Sequence, residues 1–297
     1  MASILVNPSA ITALQSLRST QAALNKTQQE VSTGLKIASA ADNASTWAIA
    51  ETMKSDRAVL STISDSLSGA NSVLNVAAAA VKSAITVMND IKNGIAQAQQ
   101  PGADTTEILT NLQQLGKQLS SVVTSATFTG LNALDGSQTS PLKFIASYAD
   151  GAGANNSSMG TIDLTLTTLI DSAGGGAGIL EQSQGGAAGA ATNFTALAAG
   201  DLAAATIADT LTNADKALSD LTTYAAEIGA TQTRVTQQNE FIRTMSEALT
   251  TGVSSLVDAD MNETSTRLQA LQTQQQLGVQ SLSIANQNAQ MIMKLFQ

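Results

Sequence analysis

Met53, Leu60, Leu67, Leu74, Val81, Met88 and Ile95 stand seven residues apart, and Ile49, Asp56, Ile63, Ala70, Ala77, Ala84, Ile91 and Ala98 form a second line beside them. Only Asp56 breaks the apolar character. The pattern keeps one stripe of a helix facing a partner when helices coil around each other, and its length up to Pro101-Gly102 predicts one long helix. Such a helix draws little stability from propensity alone, so other helices have to cover the stripe. Ile108, Leu112, Leu115, Leu119, Val122 and Ala126 continue the alternation of four and three after a helix start at Asp104 and Glu107. A second long run carries it again: Ile207, Leu211, Ala214, Leu218, Leu221, Ala225, Ile228, Gln232, Val235, Asn239, Ile242, Ser246, Leu249, Val253 and Leu256. These three helices are expected to share one core within the chain.

The chain ends repeat the design with different side chains. Asn7 and Pro8 start a helix that should end near Thr33, where Gly34 can turn left-handed. Ala10, Leu17, Leu24 and Val31 form one line on it; Leu14, Gln21, Gln28 and Leu35 form the other. Near the C-terminus, behind a cap at Asp260 and Glu263, the lines are Met261, Leu268, Gln275, Leu282, Ala289, Phe296 and Leu271, Gly278, Ala285, Ile292. Residues 268–293 hold no charged side chain but eight glutamines and two asparagines, too many amides for a bilayer span. With so little charge to keep an outer face in water, both terminal helices are expected to pack against another chain. The candidate contact residues are Leu14, Leu17, Leu24, Val31, Leu268, Leu271, Leu282, Ile284, Ile292 and Phe296.

Between the helices, TFTGLNALDG stops the heptads, and PLKFIASYA and TIDLTLTTL alternate with period two around a Gly- and Asn-rich loop, which predicts a hairpin. Residues 170–200 are rich in glycine, alanine and serine and read as a surface insert or flexible loop. Chemistry is sparse. Cysteine and histidine are absent, which removes disulfides, thiol nucleophiles, Cys/His metal sites and histidine acid-base catalysis. Asp258, Asp260 and Asn262 imitate the start of a calcium loop, but Glu263 and Gln269 stand where it needs glycine and a bidentate glutamate. No enzyme activity, cofactor or metal is expected. A net charge of -9 without a basic cluster argues against nucleic acid and anionic membrane surfaces as partners, and no membrane insertion is expected. No cleavable secretory signal is expected at the N-terminus, since Pro8 interrupts the apolar run and Arg18 is its first basic residue.

VSTGLKIASAADNASTWAIAE, TFTGLNALDG, IGATQTRV and VDADMNETSTRLQALQTQQQLGVQSLSIANQ, in this order, resemble the terminal regions of bacterial flagellin. The resemblance implies a mainly α fold: a long antiparallel helical coiled-coil rod with its N- and C-terminal helices paired and a small β-hairpin at about 141–168. It implies an inner tube domain of residues 1–43 with 258–297, a helical domain of 44–168 with 202–257, and a short variable insert at 169–201. The implied function is a structural subunit that polymerises into the flagellar filament for motility, secreted to the cell exterior through the flagellar type III apparatus as an unfolded chain; a hook-filament junction protein of the same system is the alternative. Implied partners are other flagellin subunits, an export chaperone that binds the C-terminal segment, and the filament cap and hook-associated proteins. The family's stretch for the toll-like flagellin receptor is basic, whereas NDIKNGIAQ stands here with Asp90 in place of its first arginine, so weak or no receptor activation is expected.

Overall fold

A computed structural model of the chain describes residues 7–138, 140–149, 158–171, 178–183 and 191–295. Five helices carry the fold: α1 (Pro8–Thr33), α2 (Ala44–Ala98), α3 (Thr105–Thr124), α4 (Ile207–Val257) and α5 (Met261–Leu295). Their ends follow local chemistry. The Asn7 side chain accepts from the Ala10 N–H at 3.2 Å, with Pro8 in the first turn. Gly34, at φ +72°, donates its N–H to the Glu30 carbonyl at 2.9 Å. Asp104 takes the Thr106 and Glu107 N–H groups at 3.0 and 3.2 Å, and Asp260 takes those of Asn262 and Glu263 at 2.8 and 3.3 Å. Each cap satisfies donors that the first helical turn leaves open.

The chain divides into two compact units. Ala58–Ser246 forms the middle unit, and Met1–Arg57 with Glu247–Gln297 forms the terminal unit. Helices α2 and α4 pair, as do α1 and α5.

In the middle unit both predicted lines of α2 are buried, Leu60, Leu67, Leu74, Val81, Met88 and Ile95 with Ile63, Ala70, Ala77, Ala84, Ile91 and Ala98. A third line, Val73, Ala80 and Val87, is buried as well, and Gly94 continues it with its Cα face against Leu112 of α3. The helix therefore faces two partners in this stretch, which a single pair of heptad lines does not reveal. Its length and apolar content would suit a bilayer span, yet these same residues make the core. Polar pairs fix the register of α2 against α4: the Ser64 hydroxyl donates to Asn239 Oδ1 at 2.9 Å and the Gln232 amide to Asn75 Oδ1 at 2.9 Å. On α4, Ile207, Ala214, Leu221, Ile228, Val235 and Ile242 are buried as the spacing predicts. The companion line differs. Thr210, Ala217, Tyr224 and Thr231 are buried, whereas the expected Leu218, Ala225, Gln232 and Asn239 are only half-buried; the three short side chains let the helix approach its neighbours closely, and the bulky Tyr224 is accommodated with its hydroxyl on the Ala133 carbonyl.

TFTGLNALDG becomes a tight hairpin, β1 (Thr127–Phe128) and β2 (Leu131–Asn132), with Thr129 at φ +51° and Gly130 at φ +81° in its two-residue turn. The Asn132 amide, buried, donates to the Val123 carbonyl and accepts from the Leu134 N–H. The Tyr224 hydroxyl reaches the Ala133 carbonyl at 3.0 Å, and burial pushes its ionisation up to about 12 against an opposing backbone hydrogen bond of Thr167. The second hairpin pairs β3 (Leu142–Ala149) with β4 (Ser158–Leu164), burying Phe144, Ala146, Ile162 and Leu164. The loop expected between them lies outside the described residues.

One stretch departs from the sequence reading. Residues 170–200 were expected on the surface, but their described parts cover the middle unit: Ile170, Leu180, Phe194 and Leu197 are buried. The Leu180 N–H donates to the Leu169 carbonyl and the Phe194 N–H to the Leu180 carbonyl. Ser183 Oγ donates to the Asn213 carbonyl at 2.7 Å, and Asn213 Nδ2 to Thr192 Oγ1 at 2.8 Å, tying the segment to α4. A Cβ on Gly116 of α3 would come within 2.7 Å of the Phe194 carbonyl oxygen, so glycine is what lets this backbone lie on the helix. Isolated apolar residues in a small-residue background carry no periodicity, and for that reason the covering role does not show in the sequence.

Candidate assembly surface

In the terminal unit α1 and α5 run antiparallel, and their register is readable from four contacts. Asn7 Nδ2 donates to the Ala285 carbonyl at 3.0 Å, Leu17 meets Gly278, Gln275 Nε2 donates to Gln21 Oε1 at 2.6 Å, and the Ala259 N–H donates to the Gly34 carbonyl at 2.9 Å. A Cβ on Gly278 would lie 3.3 Å from Leu17 Cδ1, so Leu17 fills a hole that the glycine opens. Lys36 and Ile37 donate to the Val257 carbonyl, and Ala50, Val253 and Val257 close a small core with Leu35, Ile37, Met53 and Leu256 around it.

On α5 the less exposed positions are Thr264, Leu268, Leu271, Gln275, Gly278, Leu282 and Ala285, an unbroken alternation of four and three. On α1 they include Ala10, Ala13, Leu17, Thr20, Leu24, Thr27 and Val31. The companion line on α1 is thus Ala13, Thr20 and Thr27; Leu14 and Gln28 of the expected line are exposed, and Gln21 is half-buried with its amide on Gln275. Small residues again take the close side of a helix pair, and counting apolar side chains favours the wrong line.

The candidate residues consequently fall into three groups. Leu17, Leu24, Val31, Leu268, Leu271 and Leu282 occupy the seam between α1 and α5 of one chain, Leu24 fully buried and the others half-buried. Leu14, 38% exposed, and Ile284, 53% exposed, lie outside it. The side chains of Ile292 and Phe296 lie outside the described residues. Ile11, Leu277 and Val279, which the sequence reading did not single out, are each more than half exposed. Leu277 alone of the three has a signal in the sequence, a third line on α5 of Ala270, Leu277, Ile284 and Met291, seven residues apart.

A helix pair that covers one apolar line on each member and leaves large apolar side chains of both in water has the kind of surface that interacting chains cover. Comparison with known proteins gives the particular family. Residues 4–139 match the model of the bacterial flagellin N-terminal helical region, and residues 211–296 match that of the bacterial flagellin C-terminal helical region. Flagellin C of Rhizobium meliloti (strain 1021) is 38% identical over 320 aligned positions, covering all of both chains. A flagellin of Brucella melitensis biotype 1 is 38% identical over 303 positions with the same coverage, and flagellin FljM of Caulobacter vibrioides is 34% identical over 298, covering 99% of this chain and 98% of its own. The chain belongs to the bacterial flagellin family. It is a structural protein and not an enzyme, the filament subunit of the extracellular bacterial flagellum, and polymerises with other flagellin subunits.

Proposed function

We propose that residues 1–43 and 258–297 form the filament's inner tube, that 44–168 and 202–257 form the helical domain, and that 169–201 is the short variable segment. The observation that carries this reading is the pair of exposed apolar lines on α1 and α5, with Ile11 and Leu14 on one helix and Leu277 and Ile284 on the other. Contact with other copies uses these outer faces, while Leu17, Leu24, Val31, Leu268, Leu271 and Leu282 hold α1 to α5, and Ile292 and Phe296 extend the contact at the chain end. The absence of charge from 268–293 supports burial between copies, since a carboxylate there would lose its water without gaining a partner, at several kcal/mol.

The chain travels unfolded through the flagellar type III apparatus, a chaperone binds its C-terminal segment, and cap and hook-associated proteins meet the filament ends. Receptor activation is weak or absent: Asp90 is exposed on α2, and the neighbouring Lys92 is held by Asp215 at 2.5 Å. The test of the tube assignment is Ile284→Asp. Because the side chain already faces water in the single chain, the variant should keep the wild-type circular dichroism and melting curve yet fail to elongate filament seeds, as judged by electron microscopy. Elongation at the wild-type rate would remove the outer face of α5 from the assembly surface.

A further inference from the structure

Asn93 and Gly94 form the sole Asn-Gly pair of the chain, in the last two turns of α2. Packing explains the glycine: a Cβ at residue 94 would come within 2.7 Å of Leu112 Cδ2, where α2 touches α3. Asn93 is exposed, so water reaches its side-chain amide. An asparagine followed by glycine is open to attack by the next backbone nitrogen, because no Cβ shields that nitrogen and glycine leaves the chain free to swing it round. The Gly94 nitrogen bonds to Asn93 Cγ, the Cγ–Nδ2 bond breaks, and ammonia leaves with the proton that the nitrogen gives up. Water then opens the five-membered imide at either carbonyl, which yields aspartate or, with the main chain rerouted through the side chain, isoaspartate.

The folded chain closes this path. Within α2 the Gly94 N–H donates to the Asp90 carbonyl, and helical dihedral angles hold the nitrogen out of line with Asn93 Cγ. Ile91 and Ile95, both 0% exposed, stand two residues to either side and anchor these turns in the core of the middle unit. Opening the site therefore means pulling isoleucines out of the core, and fraying of the helix end does not reach it. We propose that Asn93 is a spontaneous deamidation site, silent in the folded middle unit and active whenever the chain stays unfolded. The change runs one way and harms the spot where it occurs. A carboxylate at residue 93 meets the negative end of the α2 dipole and Asp90 three residues back, and isoaspartate adds a methylene to the backbone beside the Gly94–Leu112 contact. A chain kept unfolded too long thus loses part of its ability to fold. The inference needs only the fold of the middle unit and stands apart from the assembly surface.

The full-length protein is held at mildly alkaline pH in buffer or in guanidinium chloride, and peptide mass spectrometry separates asparagine, aspartate and isoaspartate at residue 93. Asn93 is expected to be the first asparagine converted in denaturant, and to convert at least about a hundredfold more slowly in buffer, because there the core has to open first. Ile95→Ala, which weakens the anchor, should speed conversion in buffer and leave the rate in denaturant unchanged. Wild-type protein aged in denaturant and then refolded should unfold at a lower denaturant midpoint than protein unfolded briefly. Asn93→Gln should remove most of that difference, since the longer side chain closes its ring far more slowly. Equal rates in the folded and unfolded chain, or another asparagine that converts before Asn93 in denaturant, would overturn the proposal.

Discussion

The terminal and middle units are built from the same seven-residue grammar and finish in opposite conditions. In the terminal unit the fully buried apolar side chains among the described residues are Leu24, Ala50, Val253 and Val257, and all the others belong to the middle unit. Among the described residues, seven large apolar side chains of the terminal unit stay exposed: Ile11, Leu14, Ile49, Met261, Leu277, Val279 and Ile284. Charge is divided as unevenly. The terminal unit has seven basic and eight acidic residues, leaving -1, and the middle unit seven and fifteen, leaving -8. The difference is one of balance and not of ion number, since the terminal unit pairs off nearly all its charges by count whereas the middle unit carries the negative charge that keeps copies apart in water. Burial therefore shows the middle unit completing its core within one chain, and leaves on the terminal unit the apolar faces that the proposed assembly surface uses.

The sharpest way to break this contrast is to put a carboxylate into the terminal seam. Leu17→Asp faces Gly278, and Leu282→Asp lies one turn further along α5. Each should abolish polymerisation, measured by sedimentation and electron microscopy, since a carboxylate in this half-buried seam loses its remaining water without gaining a partner when copies pack on the α1–α5 pair, at a cost of several kcal/mol. The main thermal transition, which reports the middle unit, should stay where it is. Filaments of normal length from both variants would mean that the two units do not divide the labour as argued.

The reverse experiment strikes the middle unit alone. Phe194 is fully buried in a stretch that reads as surface from its composition. Phe194→Ala should lower unfolding free energy by about 3–5 kcal/mol in a urea titration followed by circular dichroism, because it removes the transfer energy of a phenyl ring and leaves a cavity. An effect below about 1 kcal/mol would show that the segment lies on the core without supporting it.

These two sites mark how far the sequence could be read. Long periodic stretches leave little room for error: α1, α3 and α5 start at the caps Asn7, Asp104 and Asp260, α1 ends at Gly34 and α2 just before Pro101-Gly102, because those residues act through local backbone chemistry that needs no tertiary context. The companion seam lines were misjudged on both α1 and α4 for one physical cause. Periodicity says that a stripe faces a partner, but whether its second line lies three or four residues on depends on which side chains permit close approach, and Thr20, Thr27, Ala217 and Thr231 win over Leu14, Gln28 and Leu218 by being short. The spacing places the leucines of the terminal seam on one face, which the structure uses within one chain; Leu277 has a seven-residue line of its own, whereas Val279 stands between Gln272 and Asn286 at that spacing and has none. The covering segment had no period to read at all.

Alkaline pH sharpens the comparison inside the middle unit. Tyr224 ionises near its ordinary value of 10 in the unfolded chain and at about 12 in the folded one. The folded state therefore holds this proton more tightly, the stabilisation is fully present below pH 10, and it is lost as pH rises from 10 through 12. The two-unit difference corresponds to roughly 2–3 kcal/mol. Tyr224→Phe should cost about 1–2 kcal/mol at pH 8 by stranding the Ala133 carbonyl, and should flatten the decline between pH 10 and 12. A variant that declines as steeply as wild type over that range would assign the alkaline loss to other groups.

The finest comparison sets two glycines against each other. Gly116 and Gly278 both lie inside helices, so replacing either by alanine gains about the same propensity, up to 1 kcal/mol. What differs is the neighbour. At Gly116 the new methyl would meet the Phe194 and Thr195 carbonyl oxygens at 2.7 and 2.9 Å, which are backbone and yield only if the covering segment moves. At Gly278 it would meet Leu17 Cδ1 at 3.3 Å, the far end of a side chain that can turn aside in a half-buried seam. Gly116→Ala should thus lower stability by about 1–3 kcal/mol despite its better helix, while Gly278→Ala should change it by less than about 0.5 kcal/mol, both read from urea midpoints at constant slope. If Gly278→Ala proved the more damaging of the two, the terminal seam would be packed as tightly as the middle core, and the idea that it awaits completion by other copies would lose its footing.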